Sequence, residues 1–259
     1  MSLSKGEIPP NDVELLVKAG KDGKSRGACP FCQRMHMILL LKCQGGDLQK
    51  FTVTTVNMSK PPADFIKKIS SRLPVLIHGN EIVSDNDEIV QYIDDNFPSP
   101  SLAFDNKKAN EICLEVFSKF SYFTKEVSHS SAQLLAELRK INNFLDQQGT
   151  TFLCGDYLTH LDCEMLPKLQ HIRVVAKAFK NFEIPSEFTA LWRYLNNAYS
   201  CETFKLTCPS DQEIVHHWTV KPEMPHLPRD KENYYSTETP ERRSFDVPIK
   251  KSINGEYGY

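Results

Sequence analysis

The chain of 259 residues lacks the features that mark nucleic-acid-binding, membrane-spanning and secreted proteins. Its 31 Lys and Arg are balanced by 33 Asp and Glu, and the net charge of -2 offers no positive field for a nucleic acid. No stretch approaches the roughly 18 consecutive apolar residues that a membrane-spanning helix needs. The opening segment, MSLSKGEIPPN, has no apolar core, so we expect no signal peptide.

Cysteine is too scarce for a disulfide scaffold, since only 8 are spread over the chain. We therefore expect reduced thiols and a cytoplasmic protein. No second pair of closely spaced ligands accompanies the first cysteine pair, so no metal site is predicted, and His216 and His217 are expected to be a solvated pair. With 40% hydrophobic and 25% charged residues, the chain has ample material for a folded core.

Residues 12–97 alternate strand-like and helix-like segments. Strands are predicted at four short apolar runs, which are residues 13–19, 51–56, 75–77 and 82–83. Helices are predicted over residues 30 to about 43, 61–70, and 84 to about 96. The order βαβαββα is that of a thioredoxin-like domain, in which a mixed sheet ends in two antiparallel strands.

A proline-rich segment at residues 97–101 separates this unit from a second half with helical signals throughout. The predicted organisation is a flexible N-terminus (1–11), a thioredoxin-like domain (12–97), a linker (98–106), an all-helical domain (107–220) and a tail (221–259). The tail holds 5 of the 16 prolines and few aliphatic residues, so most of it is expected to be disordered. In the helical domain, Thr159 and Asp162 have the spacing of a structural capping box.

The segment with the clearest chemistry is Cys29-Pro30-Phe31-Cys32. Cys29 is predicted at the N-cap of the first helix, where free amides and the helix dipole lower the thiol pKa below its reference of about 8.5. Cys32 lies one turn further and is able to form a disulfide with Cys29 or to resolve a mixed disulfide. The alternatives are two packed thiols or half of a zinc site. The strand-to-helix placement favours catalytic thiol chemistry at Cys29 and Cys32.

Two further segments stand where thioredoxin-like domains bind thiol substrates. Leu73-Pro74 precedes the third strand, where such domains use a cis proline to expose the preceding backbone to a peptide or to glutathione. A trans proline that begins a strand is the alternative. Ser84-Asp85 lies at the helix N-terminus that faces the γ-glutamyl end of glutathione, although capping alone explains both residues. These four residues are the candidate glutathione-binding residues.

A thioredoxin-like half with a CPFC motif, joined to an all-helical half, resembles the glutathione transferase fold and, more narrowly, the chloride intracellular channel (CLIC) family. The stretches that carry the resemblance include GACPFCQR, FTVTTVNM, RLPVLIHG and FLCGDYLTHLDCEMLPKLQHIRVV. They extend over roughly residues 12–218 and are most specific over residues 152–199. The short segment 146–151, which lacks the long acidic loop of vertebrate members, and the extended tail indicate an invertebrate member.

The resemblance implies a protein with two forms. The soluble form is a monomer with a glutathione-site cysteine, here Cys29, and glutaredoxin-like or dehydroascorbate reductase-like activity. The family is also associated with insertion into intracellular or plasma membranes, conduction of chloride and other anions, and binding to cytoskeletal or scaffold proteins. Its membrane segment maps to about residues 29–56. Glutathione is therefore the implied cosubstrate, and membrane lipids are conditional partners.

The charges of residues 29–56 favour an enzyme over a channel. Arg34, Lys42 and Asp47 lie in this segment, and a charge at the centre of a membrane helix costs about 2.5–3.5 kcal/mol. Three hypotheses remain open at this point. The chain is a CLIC-type protein that conducts anions, a glutathione-dependent thiol-disulfide oxidoreductase that never spans a membrane, or a non-catalytic scaffold.

Overall fold

The structure, a computed structural model, describes residues 12–63, 65–69 and 72–248. Its first half consists of β1 (Val13–Lys18), α1 (Pro30–Gly45), β2 (Phe51–Val56), α2 (Phe65–Lys68), β3 (Val75–His78), β4 (Glu81–Val83) and α3 (Asn86–Asn96). This is the predicted order βαβαββα. The N-terminus at residues 1–11 and the last part of the predicted tail, residues 249–259, lie outside the described residues.

The four strands of the described chain form one mixed sheet in the order β2-β1-β3-β4. β1 pairs in parallel with β2 and antiparallel with β3, and β3 pairs antiparallel with β4. The central strands β1 and β3 are mostly buried and apolar, as expected for strands that are covered on both faces. The predicted thioredoxin-like topology is therefore confirmed.

The second half is helical over the residues that the structure describes. It consists of α4 (Lys107–Cys113), α5 (Val116–Thr124), α6 (Ala132–Gln148), α7 (His160–Lys180), α8 (Thr189–Ser200), α9 (Glu202–Thr207), α10 (Asp211–Thr219) and α11 (Arg229–Tyr234). The centre of this domain is α7, most of whose side chains are buried, and α1, α5 and α10 pack against it. The prediction of an all-helical second domain is confirmed.

Helix α1 connects the sheet to the helical domain. It begins with Pro30, which fits the first turn because no intrahelical N–H is needed there. It ends at Gly46, whose φ of 105° lies in the region that favours glycine. Met35, Ile38 and Leu39 have no exposed surface. The apolar contacts of α1 with α7 and α9 hold its N-terminus, which carries the cysteine pair, in a fixed place.

A buried carboxylate organises the start of α7. Asp162 Oδ2 accepts hydrogen bonds from the backbone N and Oγ1 of Thr159 at 2.9 and 2.7 Å, which forms the capping box expected from the sequence. Asp162 Oδ1 accepts from the backbone N of Leu153 and from the Tyr194 hydroxyl, at 3.0 and 2.9 Å. Burial raises the pKa of Asp162 while these donors oppose the change. Thr159 and Asp162 therefore have structural contacts with two loops and a second helix.

A buried lysine joins the two domains. Lys42, on α1, has no exposed surface, and its Nζ lies 2.8 Å from Oδ1 of Asp94 on α3. The same ammonium donates to the backbone O of Pro100 in the connecting segment, at 2.9 Å. Asp94 Oδ2 lies 2.7 Å from Nε2 of His160, the first residue of α7. Because the contacts of Asp94 belong to both domains, this network fixes how they meet.

The tail differs from the sequence prediction of disorder. Its described part, residues 221–248, contains α11 and packs against the helical domain. Phe245 stacks on Tyr199 with ring centroids 4.8 Å apart. The Arg173 guanidinium donates to the backbone O of Ser244 and to the carboxylate of Asp246. A low aliphatic content is therefore compatible with order here, because specific polar contacts and one aromatic residue attach the tail to an existing surface.

Candidate functional site

Four chain segments meet at one edge of the sheet. β1 and β2 are parallel and both end there, with Lys18 opposite Val56. β3 is antiparallel to β1, so it begins at this edge, and β4 is antiparallel to β3, so it ends there. The loop that leads to Cys29, the Leu73-Pro74 pair and the Ser84-Asp85 pair therefore share this edge. The topology brings together the candidate residues that the sequence predicts in separate segments.

Cys29 occupies the N-cap of α1, as predicted. Its backbone is extended, with φ -78° and ψ 118°, and its side chain is only 9% exposed. A hydrogen bond from the Cys32 thiol, aided by the amides of Cys32 and Phe31 and by the charge of Lys18, lowers the Cys29 pKa to about 6 against the opposing effect of burial. Cys29 is therefore mostly a thiolate near neutral pH, the nucleophilic form of cysteine.

Cys32 lies beneath Cys29 and has the opposite electrostatic character. It is 3% exposed, and burial, followed by the hydrogen bond to Cys29 and the charge of that thiolate, raises its pKa well above the usual value. Both thiols are free in the structure. The pair thus consists of a largely buried thiolate at the helix N-cap and a more deeply buried thiol that donates to it, which is the division of roles expected of an attacking and a resolving cysteine.

The Leu73–Pro74 peptide bond is cis, as the thioredoxin-like placement predicts. Pro74 is buried and directly precedes β3. At the end of β4, Asp85 is the N-cap of α3, and its Oδ1 accepts from the backbone N of Asp87 and of Glu88 at 2.9 and 3.3 Å. The Asp85 carboxylate is thus occupied by capping, whereas the neighbouring Ser84 is exposed. Glutathione binding by these residues stays a prediction.

Sequence reasoning missed the groups that the helical domain brings to Cys29. Lys221 follows α10, and its Nζ lies 3.4 Å from the ring centroid of Trp218. Burial lowers the pKa of Lys221 to about 8, and the charge of Cys29 acts in the opposite direction. Lys18, at the end of β1, acts on the same thiolate. Positive charge from Lys18 therefore favours the Cys29 thiolate, and the charge of Cys29 in turn acts on Lys221.

The expectation that His216 and His217 form a solvated pair is wrong for His217. Its ring lies 5.7 Å from that of His171, at an interplanar angle of 81°. Burial, followed by the charge of Lys221, lowers the His217 pKa to about 3, so the ring is neutral at physiological pH. Among the described residues, no group of three or more His, Cys, Asp or Glu side chains is arranged to hold a metal ion.

A cleft of about 440 Å³ opens at the junction of the two domains, and its lining reaches Ala28, the residue before Cys29, but neither cysteine. Lys18 and Ala28 line it from the β1–α1 segment, and Asn57 lines it from the segment after β2. His216 and His217 line it from α10. The cleft therefore lies on the β2 side of Cys29, while the Leu73-Pro74 and Ser84-Asp85 pairs lie on the β3–β4 side.

Alkylation of Cys29 is expected to depend on pH with a midpoint near 6. Only the thiolate reacts with iodoacetamide, so the rate should rise as pH increases through the Cys29 pKa of about 6 and level off above it. Mass spectrometry of the peptide that contains Cys29, after brief labelling between pH 4.5 and 9, gives this profile.

Variants at Cys32 provide the control for this pH profile. Replacement of Cys32 by Ala removes the donor with the largest effect on Cys29 and should move the midpoint upward. Replacement by Ser keeps an O–H donor and should move it less. A midpoint near the usual thiol value of about 8.5 in the unmodified protein would contradict the thiolate assignment.

The chain is similar to known proteins in both sequence and structure. Residues 11–100 match the CLIC-like N-terminal domain family. The chain is 39% identical over 223 residues to chloride intracellular channel Clic of Drosophila melanogaster, a match that covers 84% of each protein.

Two solved structures are also similar. The C. elegans CLIC homologue EXC-4 has a TM-score of 0.78 and 26% identity over 92% of this chain and 94% of that one. Dehydroascorbate reductase of Chlamydomonas reinhardtii has a TM-score of 0.70 and 25% identity over 80% of this chain and 97% of that one. The predicted two-domain fold is confirmed.

Proposed function

This chain belongs to the chloride intracellular channel family, and from that premise we propose that it catalyses glutathione-dependent thiol-disulfide exchange at Cys29. The observation that carries the proposal is the N-cap cysteine, whose pKa is lowered to about 6 by a buried thiol donor, two amides and a lysine. The similarity to a dehydroascorbate reductase, which covers both domains, supports the same chemistry. We propose that the form with this thiol activity is cytoplasmic.

The proposed reaction begins with attack of the Cys29 thiolate on a disulfide. A bond forms between Cys29 Sγ and one substrate sulfur, the substrate S–S bond breaks, and the other sulfur leaves as a thiolate that takes a proton from water. The glutathione thiolate then attacks the substrate sulfur of the mixed disulfide, which forms a glutathione–substrate disulfide and releases Cys29 as a thiolate. Alternatively, Cys32 loses its proton and attacks Cys29 Sγ, which releases the bound thiol and leaves a Cys29–Cys32 disulfide for two glutathione molecules to reduce.

The proposed glutathione site uses the backbone and helix ends on the β3–β4 side of Cys29. The backbone of Leu73, before the cis bond to Pro74, pairs with the cysteinyl part of glutathione. Ser84, Asp85 and the first amides of α3 receive the γ-glutamyl end, since a helix N-terminus favours a carboxylate. Asp85 then contributes chiefly by fixing the helix end, because its side chain already accepts two backbone amides.

The experiment that tests this proposal traps the mixed disulfide. Reduced Cys32→Ser protein, which retains Cys29 but lacks the resolving thiol, is mixed with oxidised glutathione at pH 7. Mass spectrometry is expected to locate one glutathione on Cys29. Modification of other cysteines without Cys29 would overturn the assignment, because burial raises the pKa of the Cys43, Cys154 and Cys208 thiols and makes them poorer nucleophiles.

A second candidate function is conditional membrane insertion with conduction of anions, and it is favoured by the family. One similar protein, from Drosophila melanogaster, is named a chloride intracellular channel. Over the described residues, no helix combines the length and the apolar character needed to cross a bilayer. Insertion would therefore require refolding, and binding to lipids or to scaffold proteins would accompany that form. Chloride efflux from liposomes of anionic and neutral lipid, with protein at pH 5 and pH 7, separates this candidate from thiol exchange.

A further inference from the structure

Residues 239–247 form an extended segment, here named the C-terminal strap, that lies along the start of α10. The backbone N of Asp211 donates to the O of Arg242 at 2.8 Å, and the backbone N of Arg242 donates to Gln212 Oε1 at 3.0 Å. Gln212 Nε2 donates to the O of Pro240 at 2.7 Å. These reciprocal bonds hold a segment without regular secondary structure against a helix end.

Ser244 is the polar centre of the strap. Its Oγ donates to Asp211 Oδ2 at 2.6 Å, and its backbone N donates to Asp211 Oδ1 at 3.1 Å. Its backbone O accepts from Arg173 and from Gln170, at 2.6 and 3.3 Å. Asp211 is only 4% exposed, and burial raises the pKa of its carboxyl while the two donors of Ser244 oppose that effect. One serine thus satisfies both oxygens of a buried carboxylate.

The residues on the N-terminal side of Ser244 are two arginines, Arg242 and Arg243, of which Arg243 is exposed. Acidic groups on protein kinases recognise such arginines beside a target hydroxyl. We infer that Ser244 is a phosphorylation site for a kinase that selects basic residues, and that its phosphorylation releases the C-terminal strap from Asp211. This inference goes beyond the proposed thiol chemistry and does not depend on it.

The chemistry follows from the contacts of Ser244. The bond between the γ-phosphorus of ATP and the oxygen that bridges it to the β-phosphate breaks, and ADP leaves. A bond forms between that phosphorus and Ser244 Oγ, and the hydroxyl proton is released. The product carries a charge of about -1.5 to -2 and has lost the O–H that Asp211 accepts. Two anions would then lie within hydrogen-bond distance at a buried carboxylate, and the strap relieves this repulsion by leaving the surface.

The strap must lift for a kinase to reach Ser244, because the hydroxyl is half-buried and bonded in the docked state. Lifting separates Phe245 from Tyr199 and breaks the contacts of Arg173 with the strap. Phosphorylation then prevents the strap from docking again. Local opening of a terminal segment, followed by modification of the open state, is the expected order of events.

The first test measures phosphate incorporation into the full-length protein. A basophilic serine kinase with ATP is expected to modify Ser244, located by mass spectrometry, and Ser244→Ala should lose that signal. Ser236→Ala is the matched control, because Ser236 lies in the same tail after two tyrosines rather than two arginines. Ser252, which follows two lysines, is a second candidate target of such a kinase, and mass spectrometry distinguishes it because it lies in a different proteolytic peptide. Absence of phosphate at Ser244, with the kinase active on Ser252, would overturn the proposal.

The second test measures hydrogen exchange of the Arg242 and Ser244 amides, which donate to Gln212 and Asp211. Phosphorylation is expected to speed their exchange by about tenfold or more. In Asp211→Asn protein, where the repelling charge is absent, the acceleration should be much smaller. Slower exchange on phosphorylation, as expected if the phosphate paired with Arg173 instead, would contradict release, as would an equal acceleration in Asp211→Asn.

Discussion

Replacement of Cys29 by Ser is expected to lower glutathione-coupled thiol transfer to background, a loss of roughly 1,000-fold or more. The hydroxyl of serine is not ionised near neutral pH, whereas the Cys29 thiol, with a pKa of about 6, is mostly thiolate. The sulfur also forms the covalent intermediate, and the neighbouring Cys32 does not replace it, because Cys32 is buried and its pKa is raised well above the usual value. Steady-state turnover of a peptide glutathionylated on its single cysteine, coupled to glutathione reductase, measures the effect.

Cys43→Ser is the matched control, since Cys43 lies on the same helix near its other end. Burial raises the pKa of the Cys43 thiol, and this variant should retain full turnover. Cys32→Ser should retain the route in which glutathione resolves the mixed disulfide, at a reduced rate. Turnover that survives Cys29→Ser, or that falls equally in Cys43→Ser, would contradict the role assigned to Cys29.

Local sequence signals were sufficient to predict where the candidate residues of the thioredoxin-like domain lie in the fold. Cys29 stands directly after a strand and loop, next to Pro30, and both the helix start and the acidity of the thiol follow from that placement. The positions of Pro74 and Asp85 follow from the strand order, because β3 begins and β4 ends at the edge where α1 begins. Each of these features depends on a few neighbouring residues or on topology.

The contribution of the helical domain was not predictable in the same way. Lys221 comes near the cysteine pair because α10 packs on α7 and α7 packs on α1. These contacts join distant parts of the chain, so no local sequence pattern predicts them. His217 is half-buried because His171 and Trp218 pack beside it. Two polar residues at the end of an amphipathic helix are predicted to face solvent unless the surface that packs against them is known.

The tail illustrates why composition alone misjudges a docked segment. A low aliphatic content predicts that a chain cannot form its own core. The C-terminal strap forms no core of its own and instead contributes one ring, Phe245, and several backbone groups to a surface that α7, α8 and α10 have already built. The side chains that bind it, such as Arg173 and Asp211, are distant in sequence and gave no signal.

Lys42 shows a further limit of sequence patterns. It occurs at the end of the apolar run Met37 to Leu41 and would be read as the exposed end of an amphipathic helix. In the structure its ammonium has no exposed surface and is neutralised by Asp94, with a backbone carbonyl as its second acceptor. Burial of a charge depends on a partner in another element, so hydrophobic periodicity does not reveal it.

Asp94→Asn is expected to destabilise the protein by about 3 kcal/mol, because it leaves the Lys42 ammonium buried without a counter-charge. The effect lies at the lower end of the range for broken buried pairs, since the Asp94 side chain is 32% exposed and water can approach it. Lys42→Met removes the buried charge and keeps a long apolar side chain, so its cost should be smaller, about 1 kcal/mol. Urea unfolding followed by circular dichroism gives both values.

The double variant distinguishes burial of an unpaired charge from a general loss of packing. If the cost of Asp94→Asn comes from the stranded Lys42 ammonium, then adding Lys42→Met should restore part of the lost stability, and the double variant should be more stable than Asp94→Asn alone. Simple packing defects at the two positions would instead add, because each would remove its own contacts. Glu88→Gln on α3, at an exposed position, is the control for loss of a carboxylate and should change stability by less than about 0.5 kcal/mol. Additive losses in the double variant would show that the charge pair does not hold α1 to α3, and α1 would then be freer to leave the fold than the structure indicates.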